Sequence, residues 1–190
     1  MTGCGDSSSS INLENYLPSD GYQKRRDGLF YQQNTQNLIS GTILHDYNWH
    51  SKIFDGDSYT YRNNYYQVKD GLLHGKSLHH IHFSDQLNAA RNAYGGKVML
   101  EEPTLFQEIN FKDGYVFGKV KLLSFLGDIL VEGQVEDGKR VGDWQVFDGK
   151  ELLTISFSNN DYTLPEGTEL ESNVQSFLNR DWDRKINKLF

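Results

Sequence analysis

The chain has a single cysteine, Cys4. An internal disulfide and a cysteine-ligated zinc site are therefore both excluded. No apolar run approaches the ~18 residues that a membrane-spanning helix needs. Apolar residues make up 37%, against about 45–50% in ordinary globular domains, which predicts a thin or elongated fold with much surface per residue. Positive charge is also short. The net charge is −7, which argues against nucleic acid as a partner, because phosphate binding needs a concentrated basic surface. The one dense basic run, Lys24-Arg25-Arg26, lies beside Asp27 and reads as a solvated patch. No G-x-S-x-G nucleophile elbow and no phosphate-cradling glycine loop occurs. Carboxylate neighbours such as Glu101-Glu102 and Asp181/Asp183 imply no catalytic geometry, since such pairs are set by the fold. The expectation is a protein that is not an enzyme and carries no cofactor.

Aromatic residues are plentiful, with eleven Tyr and eleven Phe in 190 residues. Disordered chains are poor in aromatics, and this length fits one domain with short terminal additions. The strongest signal is internal repetition. Asp70-Gly71-Leu72-Leu73-His74-Gly75 aligns with Asp113-Gly114-Tyr115-Val116-Phe117-Gly118 and with Asp137-Gly138-Lys139-Arg140-Val141-Gly142. The shared pattern is D-G-x-x-x-G, with a partial copy beginning at Asp27-Gly28. Asp-Gly is a tight-turn signal, because glycine takes φ > 0 without steric cost. Another such pair, Asp148-Gly149, separates two alternating runs, Trp144–Phe147 and Glu151–Phe157, and so predicts a hairpin. The second glycine of each copy is expected to open a strand, and the strand entries at Gly118 and Gly142 to be crowded. A further similarity, Leu38-Ile39-Ser40-Gly41-Thr42-Ile43 with Leu130-Val131-Glu132-Gly133-Gln134-Val135, supports the repeating unit.

The stretch from Leu130 to Phe147, with Gly142, Trp144 and Phe147 in the pattern glycine, any residue, Trp, two residues, aromatic, resembles MORN-type repeats. Within these it is most similar to the variant found in bacterial YwqK-like proteins. Gly118, Val120 and Leu123 keep only the apolar character of that pattern, and Gly75, Ser77 and His80 depart from it. The resemblance is good over 127–157, fair over 65–83 and 109–126, and thin over 27–47. It implies stacked hairpins and a protein-binding role of antitoxin or immunity type, in which a toxin is neutralised by being bound.

The fold class expected is all-β with minor α: a meander of stacked, MORN-like β-hairpin repeats forming an elongated sheet, plus a C-terminal amphipathic helix. Residues 1–10 read as a flexible tether, 11–165 as the hairpin domain with a short helix inserted near 84–94, and 166–190 as the C-terminal helix. That helix is read from Leu170, Val174, Phe177, Leu178, Trp182, Ile186 and Leu189, which recur at three- and four-residue steps. It is expected to cover the sheet, with a partner-docking role as the alternative. Residues 48–64 read as a long loop or irregular hairpin. The opening, Thr2-Gly3-Cys4 followed by Ser7–Ser10, resembles the cleavage region of bacterial lipoproteins. That resemblance implies lipidation at Cys4, a serine spacer and a place in the cell envelope, and with it the alternative function of a lipoprotein with a structural or small-ligand-binding role. The apolar part of that pattern would lie upstream of Thr2. The other reading is a polar tail with one free thiol on a cytoplasmic protein.

Four side chains are candidates for contact with a protein partner: Tyr115, Trp144, Phe147 and Trp182, since Tyr and Trp supply area with few rotors. The same aromatics would otherwise be the core of a thin sheet. His80 and His82 fall two apart, on one face of a strand. They are the candidate metal ligands in a cluster that includes His74 and His79, and a site there lacks a specified third ligand. The other reading is a polar sheet face.

Overall fold

A computed structural model describes residues 16–18, 20–53, 56–83, 104–124, 126–157 and 161–182, with the side chains of 46–53, 56–63, 81–83 and 104 excepted. The chain is a β meander. A two-stranded ribbon, β1 (Tyr22–Lys24) and β2 (Phe30–Gln32), precedes eight long strands. These are β3 (Gly41–Ile53), β4 (Gly56–Lys69), β5 (Leu72–Phe83), β6 (Thr104–Lys112), β7 (Tyr115–Leu123), β8 (Ile129–Glu136), β9 (Lys139–Phe147) and β10 (Leu152–Ser156). Each pairs antiparallel with its sequence neighbour, so the sheet order is the chain order. Among the described residues one helix, α1 (Ser172–Leu178), follows. The all-β meander with minor helix expected above is therefore the architecture of the chain.

The repeat has a definite physical form. Three Asp-Gly pairs close two-residue hairpins, with φ of +49 and +77 at Asp70-Gly71, +52 and +87 at Asp113-Gly114, and +48 and +73 at Asp137-Gly138. Positive φ at both central residues is the type I′ turn, whose twist matches the strands it joins. Successive turns are tied together: Gly71 donates its amide to Ile39 O (2.8 Å), and Gly114 donates to Leu73 O (2.8 Å). Asp148-Gly149 also joins two strands, though in a four-residue loop. There the Asp148 carboxylate accepts the amides of Lys150 (2.8 Å) and Glu151 (2.9 Å).

The second glycine of each copy does not open a strand. It sits inside a bulge. Tyr66 to Val68 faces Ser77 to Leu73, Ile109 to Phe111 faces Val120 to Val116, and Glu132 to Gln134 faces Gln145 to Val141. In each copy the returning strand carries two extra residues, with Gly75 (φ +91), Gly118 (φ +89) or Gly142 (φ +67) among them. The requirement is conformational, since a side chain at Gly142 would meet nothing within 4 Å. At Gly118 and Gly142 crowding is not the reason, whereas at Gly75 a Cβ would also meet Gln67 Oε1. In two copies a side-chain amide from the outgoing strand satisfies the loosened backbone. Gln67 Oε1 accepts the Lys76 amide (2.7 Å), and Asn110 donates to Lys119 O (2.6 Å).

The core lies on one face of the sheet. Ile43, Tyr66, Ser77, Ile109, Val120 and Gly133 are cross-strand neighbours in one row, and its side chains are buried. Volumes compensate within the first hairpin: large Tyr66 lies opposite small Ser77. In the third copy the order is reversed, for a Cβ on Gly133 would fall inside the indole of Trp144. Residues 17–39 cover one end of this face, where Tyr22, Phe30 and Ile39 join the core. The segment from Phe157 to Trp182 joins it at the other, with Val174, Phe177, Leu178 and Trp182 buried. Leu17 also bridges the outer edge of β3, exchanging hydrogen bonds with Thr42 O and the Leu44 amide (both 2.9 Å).

Several sequence expectations are corrected. Asp27-Gly28 belongs to the separate β1–β2 ribbon and is no copy of the bulged hairpin. Gly41 opens β3, whereas Gly133 lies mid-strand beneath Trp144, so the two L-x-x-G-x-[IV] stretches are not equivalent. Within 48–64, residues 48–53 and 56–64 belong to a regular β3–β4 ladder, with pairs from Asn48↔Tyr61 to Ile53↔Gly56, because backbone pairing tolerates polar sequence. Within 166–190 the helix is confined to Ser172–Leu178 among the described residues. Residues 165–168 form a turn, with the Thr168 amide on Pro165 O (3.1 Å). At the other end Arg140 of β9 donates to Leu178 O and Arg180 O, taking up carbonyls that a helix terminus leaves unpaired. The apolar positions were legible all the same, since Val174, Phe177, Leu178 and Trp182 are all buried. The helix expected near 84–94 lies outside the described residues.

Candidate partner-binding surface

The face of the sheet opposite the core carries a polar row in register across five strands: Glu108, Lys121, Glu132, Gln145 and Thr154. Cross-strand pairs of opposite charge stabilise such a face. Lys119 and Lys121 lie 2.7 and 3.2 Å from the Glu132 carboxylate, Lys76 lies 3.2 Å from Glu108, and Gln145 donates to Thr154 Oγ1 (2.9 Å). Partial burial pushes the Glu132 carboxyl up, but hydrogen bonds and charge from Lys119 and Lys121 outweigh it and hold the group below its usual range. A depressed folded-state pKa contributes stability above the ordinary carboxylate range and loses it as pH falls. Glu132→Gln is therefore expected to lower stability at neutral pH by no more than about 1 kcal/mol. The gap between urea melts of variant and wild type should shrink as pH falls through and below the ordinary carboxylate range. A gap that persisted in acid would contradict the ion-pair account.

Apolar groups reach this face at its turn end. On β7 the alternation Tyr115, Val116, Phe117 points Val116 into the core and leaves both aromatics outward, 44% and 38% exposed. They flank a surface hollow of about 440 Å³ whose wall includes the Asp113 and Asp137 turn residues. Lys112 Nζ lies 5.0 Å from the Phe117 ring centre, a cation–π contact that holds the ring in place.

The other sequence candidates separate. Phe147 is half-buried and lines a cleft at the opposite end of the strands. Trp144 and Trp182 are core residues, 0% and 2% exposed, with ring centres 6.4 Å apart, and present no surface to a partner. Trp144 shares the inward parity of Val146 on β9, which the 157–182 segment covers. Phe117 was missed as a candidate, although its two-residue spacing from Tyr115 signals a shared face. His80 packs edge-on against the Tyr65 ring (5.6 Å), and His79, on the other face, meets Ser77 Oγ (2.9 Å) and the Tyr66 ring (5.5 Å). His74 pairs with Asp113 (3.2 Å). His82 lies in β5, but its side chain is outside the described residues, as is all of Cys4. Among the described residues no three His, Cys, Asp or Glu side chains gather as a metal-ligating group, and no helix is long and apolar enough to cross a membrane.

Comparison with protein-family models, curated proteins and solved structures finds no match to this chain. The surface chemistry therefore carries the functional reading.

Proposed function

We propose that the chain is a non-enzymatic protein-binding module whose contact surface centres on Tyr115 and Phe117. The observation that carries this is a pair of adjacent outward aromatics beside a hollow, on the face that carries the ion-paired row around Glu132. Aromatics that bury a large area at small entropic cost are the usual energetic centres of protein interfaces. The acidic turn residues Asp113 and Asp137 at the rim, and the net charge of −7, favour a partner with basic groups around an apolar contact. The resemblance of 127–157 to YwqK-like repeats points the same way, toward a partner neutralised by being bound, as by an antitoxin or immunity protein. With Cys4 lipidated, the module would stand at the cell envelope.

The test is capture from extracts of the native cell, with the full chain and the Tyr115→Ala/Phe117→Ala variant as parallel baits. The wild type is expected to retain one stoichiometric protein. The variant should bind it at least about a hundredfold more weakly while melting at the same temperature. Equal retention by both baits would place the interface elsewhere.

A further inference from the structure

At the other end of the strands, away from Tyr115, a cleft of about 550 Å³ lies between the sheet and α1. This falls within the roughly 300–1,000 Å³ of small-molecule sites. Its walls are largely apolar: Phe106 from β6, Leu122 and Leu123 from β7, Leu130 from β8, Phe147 from β9 and Phe177 from α1. Into it comes one cation, Arg180. Arg180 is half-buried, and desolvation by burial lowers its pKa from the usual arginine value. It packs against the rings of Phe177 and Trp182, 5.2 and 5.4 Å from their centres. Its side chain donates one hydrogen bond among the described residues, Nη1 to Gln107 Oε1 at a long 3.4 Å. No carboxylate of the described residues lies within ion-pair distance of it. Glu171 lines the cleft without reaching it.

A partly buried charge with no counter-ion among the described residues is costly, and two rings flank this one with most of its five donors unpaired among those residues. We infer that the cleft binds a small amphiphilic carboxylate, its head on Arg180 and Gln107 and its apolar tail among Phe106, Leu122, Leu130 and Phe147. A guanidinium matches a carboxylate in shape and charge. The apolar walls exclude a head group without a tail. This site is independent of the partner surface at Tyr115.

Calorimetric titration of the full chain with decanoate, decan-1-ol and acetate tests the inference. Decanoate is expected to saturate a single site, and both the alcohol and acetate to bind at least about tenfold more weakly. Arg180→Gln should cut decanoate affinity by about tenfold to a hundredfold, the range for losing a charge-assisted hydrogen bond, and leave the alcohol unaffected. Equal affinity for decanoate and the alcohol, absence of saturable decanoate binding, or unchanged decanoate binding by Arg180→Gln would overturn it. The guanidinium would then serve packing alone. Should Arg180→Gln not fold, Ser176→Trp keeps the test decisive. Ser176 is exposed on α1 at the cleft, so the indole should block decanoate without lowering the melting temperature. Undiminished binding by that variant would equally overturn the inference.

Discussion

Trp144→Ala is expected to destabilise the chain by about 3–5 kcal/mol, a large part of the roughly 5–15 kcal/mol that holds a domain folded. The indole is fully buried, packs on Phe157 (5.1 Å between ring centres) and Trp182, and covers the bare backbone of Gly133. Its removal leaves a void between the sheet and the 157–182 segment. The reciprocal change, Gly133→Val, drives a side chain into the indole and is expected to cost about 1–3 kcal/mol or more. Because one space is involved, the two effects should not add. The double variant Gly133→Val/Trp144→Ala should be more stable than the sum of the single losses, since the valine occupies part of the vacated volume. Urea denaturation of the four proteins measures this, and strict additivity would contradict the packing described.

The bulge glycines give the second large effect. Valine at Gly142 must adopt φ near +67, a region that costs an L residue about 1–2 kcal/mol and a β-branched one more. Space is not at issue there, so Gly142→Asn, which tolerates that conformation, should lose less than about 1 kcal/mol. Gly75→Val should be worse than Gly142→Val. The same strain applies at φ +91, and the new Cβ also collides with Gln67 Oε1, breaking its bond to the Lys76 amide. Loss of that bond adds about 1 kcal/mol. The expected order of midpoints is wild type, Gly142→Asn, Gly142→Val, Gly75→Val. A Gly142→Val protein as stable as wild type would remove the bulge from the account.

Much of this fold is legible in the chain because its turns are local. Asp-Gly at 70–71, 113–114 and 137–138 specifies a type I′ hairpin within two residues, and the strands on either side follow from it. The bulges were misread because D-G-x-x-x-G gives the spacing of a glycine but not the register opposite it. That register depends on which outgoing residue, such as Gln67 or Asn110, faces the extra pair. Of the C-terminal stripe, Val174, Phe177, Leu178 and Trp182 are buried, Leu170 is half-buried, and Ile186 and Leu189 lie outside the described residues. The stripe's helical length was overread because Arg140, distant in sequence, takes the carbonyls where the helix stops. At the surface, strand parity foretells that Tyr115 and Phe117 share a face. Whether that face is covered depends on where the 157–182 segment packs, and the same packing buries Trp144 and Trp182. The Arg180 cleft draws its walls from four strands and a helix, and no local pattern announces it.

Amide hydrogen exchange of the chain, alone and with its captured partner, tests the central claim most directly. The account predicts that binding slows exchange across 113–119 and around the Asp137-Gly138 turn, and leaves β10 and α1 unchanged. Protection confined to β10 or α1, with 113–119 exchanging as in the free protein, would contradict it.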